Sequence, residues 1–192
     1  MISVQPLIHL DATDIKRIAS GYTAGGRYIV TYTDSAHSTA FNLQYVTRKE
    51  PYVKRYDHFD NETLQRYNRV FSDGYSFGAH DNGLLVGLLI AEPFEWNGSL
   101  VVWEFHVAET HRCIGIGRQL MECAAAKATH AGLRTIVCET QTTNVTSITV
   151  YRSLGFRIEG VDISYYSNTD YPDGEIAVFM KRRLKCANDP QR

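Results

Sequence analysis

Val107-Ala-Glu-Thr-His-Arg-Cys-Ile-Gly-Ile-Gly-Arg118 is the stretch on which the fold turns. Before it the chain is rich in strand formers. After it, residues 116–132 are Ala-rich, with Leu120, Cys123, Ala124 and Ala128 at helical spacing and Gly132 as a stop. A strand therefore ends near Val107, a short loop follows, and a helix opens near Gly115 and Gly117. Glycines at such a junction let the backbone approach a ligand closely. The first-turn N–H groups of the helix, helped by its dipole, suit a pyrophosphate, and Arg112 or Arg118 can add a charge-assisted contact. The plain alternative is a glycine-bearing turn before a helix.

On the N-terminal side of this stretch, residues 74–80 and 84–92 read as strands joined by the turn Asp81-Asn82-Gly83. Residues 100–107 follow a second turn, Asn97-Gly98. The centre of the chain is thus an antiparallel meander. Further out, residues 3–10 form a strand, and Asp11 as N-cap with Asp14 in the capping-box position opens a helix ending near Gly21. Residues 27–33 and 39–47 are strands, with Pro51 closing that region. Residues 61–71 form a helix apolar at Leu64, Tyr67, Val70 and Phe71.

On the C-terminal side, residues 135–139 are a short strand and residues 145–154 a second helix closed by Gly155. Residues 156–166 and 175–182 make a last hairpin around a loop at 168–174. Strand–helix–strand in this half implies one parallel pair. The expected fold is mixed α/β: a single central, mostly antiparallel twisted sheet with one parallel pair and helices on both faces. We expect one domain over residues 1–192, with a cofactor-binding half at 100–160 and substrate-side elements at 11–75 and 160–182.

With 192 residues, 44% hydrophobic and 21% charged, the composition is that of a globular domain. The net charge of −1 provides no basic field, so no nucleic-acid partner is expected. The longest apolar run, residues 84–91, is too short to span a membrane, and residues 1–10 lack the pattern of a signal peptide. Cys113, Cys123, Cys138 and Cys186 are scattered, without a CxxC or a His pair at ligand spacing. No metal site and no disulfide framework are expected, and the compartment is read as cytoplasmic. Cys113, beside the loop, is read as a plain small side chain rather than a reactive thiol.

Two nucleotide loops are excluded. A Walker A loop needs Lys-Ser or Lys-Thr after its glycines, and a dinucleotide fingerprint needs a third glycine where Gln119-Leu120 stands. What remains is R-x-x-G-x-G, from Arg112 through Cys113, Ile114, Gly115 and Ile116 to Gly117. This pattern resembles the coenzyme A pyrophosphate loop of the GNAT superfamily of acetyltransferases. Asn144, Tyr151, Gly155 and Phe156 in N-V-T-S-I-T-V-Y-R-S-L-G-F fit the second helix of that superfamily. Seven residues separate Asn144 from Tyr151, about two turns on one helix face.

The resemblance implies acetyl-CoA as co-substrate, with no metal, and transfer to a substrate amine. It implies that Tyr151 is the general acid on the departing thiolate and that Asn144 lines the cofactor groove. The strand around Phe105, His106 and Val107 would meet the pantetheine arm, and the loop from Arg112 to Arg118 the pyrophosphate. The base is open from the residues alone. Glu104 and His106 share a strand face, Glu139 ends the next strand, and each can accept a proton directly or through water. Each also has a plainer reading: Glu104 as a substrate-binding charge that lines the pocket, His106 as a satisfied core histidine and Glu139 as a structural hydrogen-bond acceptor; Glu104 is the preferred base.

The last third is more specific. C-E-T-Q-T-T-N-V-T-S-I-T-V-Y-R-S-L-G-F, V-D-I-S-Y-Y-S-N and G-E-I-A-V-F, with K-E-P-Y-V-K-R-Y-D at 49–57, are similar to streptothricin acetyltransferases. That group implies acetylation of the β-lysine part of streptothricin. A polycationic antibiotic should meet carboxylates and aromatic faces. Asp162, Tyr166 and Glu175 are the candidate substrate residues, with Glu92, Glu95 and Trp96 behind them. Asp170 and Asp173 are read as a solvated acidic loop. The superfamily is often homodimeric, but no feature here fixes a stoichiometry. The competing functions are a peptide or protein N-acetyltransferase and a CoA-binding regulatory module without catalysis. The tyrosine at 151 argues against the module, and the aromatic-acidic hairpin favours a small cation over a peptide.

Overall fold

The structure, a computed structural model, describes residues 1–57 and 59–185, so Cys186 lies outside the described residues. In chain order the elements are β1 (Ile2–Pro6), α1 (Ala12–Ile18), β2 (Tyr22–Asp34), β3 (Thr39–Lys54), α2 (Asn61–Val70), β4 (Phe77–Asp81), β5 (Leu84–Phe94), β6 (Ser99–Val107), α3 (Ile116–His130), β7 (Thr135–Gln141), α4 (Val145–Ser153), β8 (Arg157–Asp162) and β9 (Ala177–Arg183). They form two compact units. One comprises Met1–Ser20, Arg55–Cys138 and the segment from Arg182; the other comprises Gly21–Lys54 and Glu139–Lys181.

In the first unit the sheet runs β1-β4-β5-β6-β7, with β7 present through its first four residues. Neighbours pair antiparallel until β6, which pairs parallel with β7, Ser99–Val102 against Thr135–Cys138. This is the expected meander plus one parallel pair. The β4–β5 turn is tight because Asn82 and Gly83 both take left-handed backbone, φ 49° and 84°, the geometry that suits the twist of a two-residue hairpin. Leu88 and Ile90 of β5 face α1 and α2, in one core with Leu10, Ile15, Ile18 and Leu64. Gly87 points the other way. A Cβ there would lie 3.1 Å from Ile116 and 3.3 Å from Leu120, so α3 closes on the opposite face at its nearest approach. Helices cover both faces, and the Ala-rich side of α3, buried at Ala124, Ala125 and Ala128, permits that approach.

The β5–β6 ladder is irregular in one place. Ile90 pairs with Glu104 and Ala91 with Val102, which leaves Trp103 as an extra residue on β6. Such a bulge re-aims side chains. Trp103 and Glu104, adjacent in sequence, both turn toward α2. Trp103 packs on that core under the Arg66 guanidinium, 4.2 Å from the ring centre, and Glu104 meets Tyr67. Alternation then resumes. His106 is on the α2 side, while Phe105 and Val107 reach Gly117 of α3.

The second unit departs from the single-sheet expectation, because β2 and β3 pair with each other in a two-stranded sheet of their own. Pro51 does not end β3, which continues to Lys54. The register shifts between Ala24, opposite Tyr52, and Gly26, opposite Thr47. Pro51 therefore sits in the irregular part, where its missing N–H disturbs no ladder bond. β8 and β9 form the predicted last hairpin, Asp162 opposite Ala177. β8 stops at Asp162, short of residue 166. The Asp162 carboxylate accepts the Ser164 N–H at 3.0 Å and turns the chain. Asp170 accepts the N–H groups of Tyr166 and Ser167 at 2.8 and 3.1 Å and is only 6% exposed. It is a buried organiser of the loop, not a solvated charge.

Side chains cap three helix starts: Asp11 accepts from Asp14 N–H, Asp60 from Thr63 N–H and Asn144 from Ser147 N–H. The capping of α1 is as predicted, though the helix ends at Ile18, before Gly21. Among the described residues no helix is long and apolar enough to cross a membrane. The contact at Gly87 has a measurable consequence. Gly87→Val should lower stability by about 1–3 kcal/mol through overpacking against α3, read as a reduced midpoint in urea denaturation.

Candidate active site

The loop between β6 and α3 is exposed from Arg112 to Gly115, with Ile114 61% exposed. Cys113 and Gly115 take left-handed backbone, φ 63° and 90°. Gly115 is the N-cap of α3, and no side chain caps that helix. Its first N–H groups are left without intrahelical partners by helical geometry, and they follow a turn in which left-handed residues at 113 and 115 flank Ile114, the kind of backbone from which anion nests are built. The Arg112 Nε–H donates to the Val107 carbonyl at 3.1 Å, which fixes the root of the loop. Arg118 is exposed one turn further on, with its positive charge felt at Glu122.

The two glycines serve different ends. Gly115 needs its left-handed φ, and a Cβ there would meet nothing within 4 Å. Gly117 is limited by packing: a Cβ would lie 3.2 Å from the Phe105 ring. Ile116 between them is buried and anchors the helix start.

On the α2 side of β6 lies a polar triad, buried at Tyr67 and Glu104 and half-buried at His106. The Tyr67 hydroxyl donates to Glu104 Oε1 at 2.6 Å, and His106 Nε2 lies 2.6 Å from Glu104 Oε2. The Glu104 side chain is 9% exposed and that of His106 17%. Tyr56 and Phe59 set their rings edge-on to the imidazole, at 5.5 and 6.3 Å between centres. Burial, and then the charge on Glu104, push the Tyr67 phenol far above its ordinary value, so it stays protonated and donates. The predicted common face of Glu104 and His106 is realised. Tyr67 was legible in sequence only as one apolar position of α2. The available signal was chemical, since a tyrosine in a core needs a partner for its hydroxyl.

The second unit holds the remaining candidates. Asn144 caps α4 through Ser147 N–H at 3.1 Å. Tyr151 is 7% exposed and its ring lies 5.5 Å from that of Phe156. Tyr166 donates a short hydrogen bond to Glu139 and lies 3.0 Å from Gln141 Nε2, while Tyr165 stands edge-on to it. Desolvation first, then the Glu139 charge, raise the Tyr166 phenol. Glu175 is surrounded by the chain's own donors: Lys54, Thr143 at 2.8 Å, Tyr52 at 3.2 Å and Tyr22 at 3.3 Å. Asp162 turns the chain at Ser164. Outside this set, Glu92 takes the Trp103 indole N–H at 3.0 Å, and Trp96 is 84% exposed. Among the described residues no group of three or more His, Cys, Asp or Glu side chains is arranged to hold a metal.

The acetyltransferase (GNAT) family profile matches residues 41–156, more than half of the chain. A streptothricin acetyltransferase of Streptomyces lavendulae is 35% identical over 99 residues; the match covers 52% of this chain and 52% of that one, so it spans about half the relative's length. Streptothricin acetyltransferase A of Bacillus subtilis (strain 168) is 25% identical over 186 residues, 92% of this chain and 96% of its own. Among solved structures, that of nourseothricin acetyltransferase superposes with a TM-score of 0.76 at 28% identity, covering 96% of this chain and 99% of its own.

The Glu175 cluster gives a pH-dependent outcome. Burial alone would raise the Glu175 carboxyl, but hydrogen bonds from Lys54 and Thr143 and the ammonium charge hold it below the usual 4.5. A depressed folded-state value stabilises the protein above the unfolded value, and that gain disappears as pH falls through the folded one. Stability should therefore decline below about pH 4.5, partly through this group. Glu175→Gln should lose about 1–3 kcal/mol at pH 7 and show a flatter decline on acidification, measured by denaturant titrations at stepped pH.

Proposed function

The chain belongs to the acetyltransferase (GNAT) family, and from that premise we propose that it moves an acetyl group from acetyl-CoA to a primary amine of a small cationic substrate, streptothricin, by direct attack in a ternary complex. The observation that carries the cofactor half is the start of α3. Side chains cap α1, α2 and α4, whereas α3 opens uncapped on a turn with Cys113 and Gly115 left-handed. The substrate half is supported by two relatives named streptothricin acetyltransferase and by the likeness to nourseothricin acetyltransferase.

When bound, acetyl-CoA supplies an acetyl group activated as a thioester. In the proposed reading the N–H groups of Cys113, Ile114, Gly115, Ile116, Gly117 and Arg118, with the Arg112 and Arg118 guanidiniums, hold the pyrophosphate. Phe105, His106 and Val107 line the pantetheine arm, and Asn144 holds the start of α4, which carries Tyr151. Tyr151 gives its proton to the departing thiolate. Glu104 and His106 form the side that takes the amine proton. Asp162 and the Tyr166–Glu139 pair attract the substrate's ammonium groups. Glu175, balanced by Lys54, presents little net charge to a cation, so we assign it to bracing β2 and β3 against the Thr143 segment.

The test is a thiol-release assay with acetyl-CoA over a panel of amines. Streptothricin should be turned over and short peptides should not; turnover confined to peptides would reject this reading. Tyr151→Phe should reduce kcat on the responding amine by about 10²–10⁴-fold while acetyl-CoA affinity, read by calorimetry, stays within twofold. An unchanged kcat would remove Tyr151 from the acid role.

A further inference from the structure

Three residues from two elements meet in a fixed order: Tyr67 on α2, then Glu104 and His106 on β6. The spacing is tight at both links, 2.6 Å and 2.6 Å. Each carboxylate oxygen of Glu104 is engaged, one by a phenol that only donates and one by the imidazole. A carboxylate so engaged, with its side chain 9% exposed, is poorly placed to meet a substrate amine itself. Its neighbour at twice that exposure is better placed. When neutral, a ring whose Nε2 faces an ionised carboxylate carries its proton on that nitrogen, so the basic atom is Nδ1.

We infer that His106 is the group that takes the proton from the substrate amine, with Glu104 and Tyr67 as positioning residues that fix its tautomer and orientation. The inference rests on the acetyl-transfer reading above and names the base within it. The step balances: an N–H bond of the substrate ammonium breaks, an Nδ1–H bond forms, and the amine keeps the electron pair with which it attacks. The imidazolium is held by Glu104 and later returns the proton to water. Tyr67 cannot take part in the transfer, because it stays protonated. Its hydroxyl settles which way the carboxylate faces and leaves one oxygen for His106. Tyr56 and Phe59 wall the ring on the side of the segment preceding α2. Among the described residues, titratable and charged groups near the pair include Tyr56, and Tyr67 with Arg66 beside it. This arrangement follows the logic by which a carboxylate orients a histidine base in nucleophilic catalysis.

Two measurements on the full chain test it. Nitrogen-15 NMR of the imidazole ring, which needs no substrate, should show neutral His106 protonated at Nε2 and unprotonated at Nδ1. In Glu104→Gln that preference should be lost. An Nδ1–H tautomer in the unaltered protein would overturn the inference whatever the substrate proves to be. Kinetics on the amine that responds best should separate the roles. His106→Asn should lower kcat by about 10²–10³-fold with the KM for acetyl-CoA within twofold; a loss under threefold would overturn the inference and return the base to Glu104. Tyr67→Phe should lower kcat by about tenfold with the KM for acetyl-CoA within twofold, and should weaken the Nε2–H preference in the nitrogen-15 spectra, because the carboxylate is no longer held toward the imidazole. A phenol that only fills the core would change the melting temperature and leave the tautomer preference as it was, which would remove Tyr67 from its positioning role. If streptothricin is not turned over while the Nε2–H tautomer is present, the substrate assignment fails and the relay stands.

Discussion

A strand can normally address a given face only with every second residue. β6 escapes that rule once, at Trp103, and the first unit is arranged around the exception. With the extra residue opposite Ile90 and Ala91, both Trp103 and Glu104 turn toward α2. The aromatic ring closes the core there and the carboxylate receives Tyr67. Past the bulge the normal period returns, so His106 follows Glu104 on one face while Phe105 and Val107 support α3 through Gly117 on the other. Without the bulge, Glu104 could meet Tyr67 only by turning Trp103 away from the core it closes.

Carboxylates on this protein look alike in sequence and differ sharply in circumstance. Glu104 is held by a phenol and an imidazole, Asp170 by two backbone N–H groups and the Ser167 hydroxyl, and Glu175 by an ammonium and three hydroxyls. Buried charges persist only when so paired. Such pairing marks a group that organises other residues, because its lone pairs are already engaged. Asp162 and the Tyr166–Glu139 pair lie nearer the surface, where a cationic ligand could still add to their interactions.

Much of the fold was legible because it rests on local rules. The Asp81-Asn82-Gly83 turn, the Asp11 cap, the Ala face of α3 and the strand–helix–strand order each depend on residues close in sequence. The departures have a common cause in long-range pairing. Pro51 reads as a terminator until the shift between Ala24 and Gly26 shows that its N–H is not required. Asp170 reads as solvated until the chain folds back so that Tyr166 and Ser167 point their N–H groups at it. Of the site, the loop glycines and the Glu104–His106 face could be read directly. Tyr67 could not, because its partner lies 37 residues away and only the bulge at Trp103 brings them together.

The start of α3 shows how function can set a local cost. With glycine at the N-cap in place of a capping side chain, α3 gives up roughly a few tenths of a kcal/mol. The left-handed backbone of Cys113 adds a further penalty that glycine alone would avoid. Yet α3 is the longest α-helix described, and its buried face at Ile116, Leu120 and Met121 ties it to the sheet. That packing, distant from the helix end, can absorb a loss of this size. A weaker helix such as α4, with nine residues and an asparagine cap, could spare its cap less readily. The uncapped donors therefore sit where the fold has stability to spare, and in the proposed reading a bound pyrophosphate replaces the missing cap and stabilises the folded chain in proportion to its concentration.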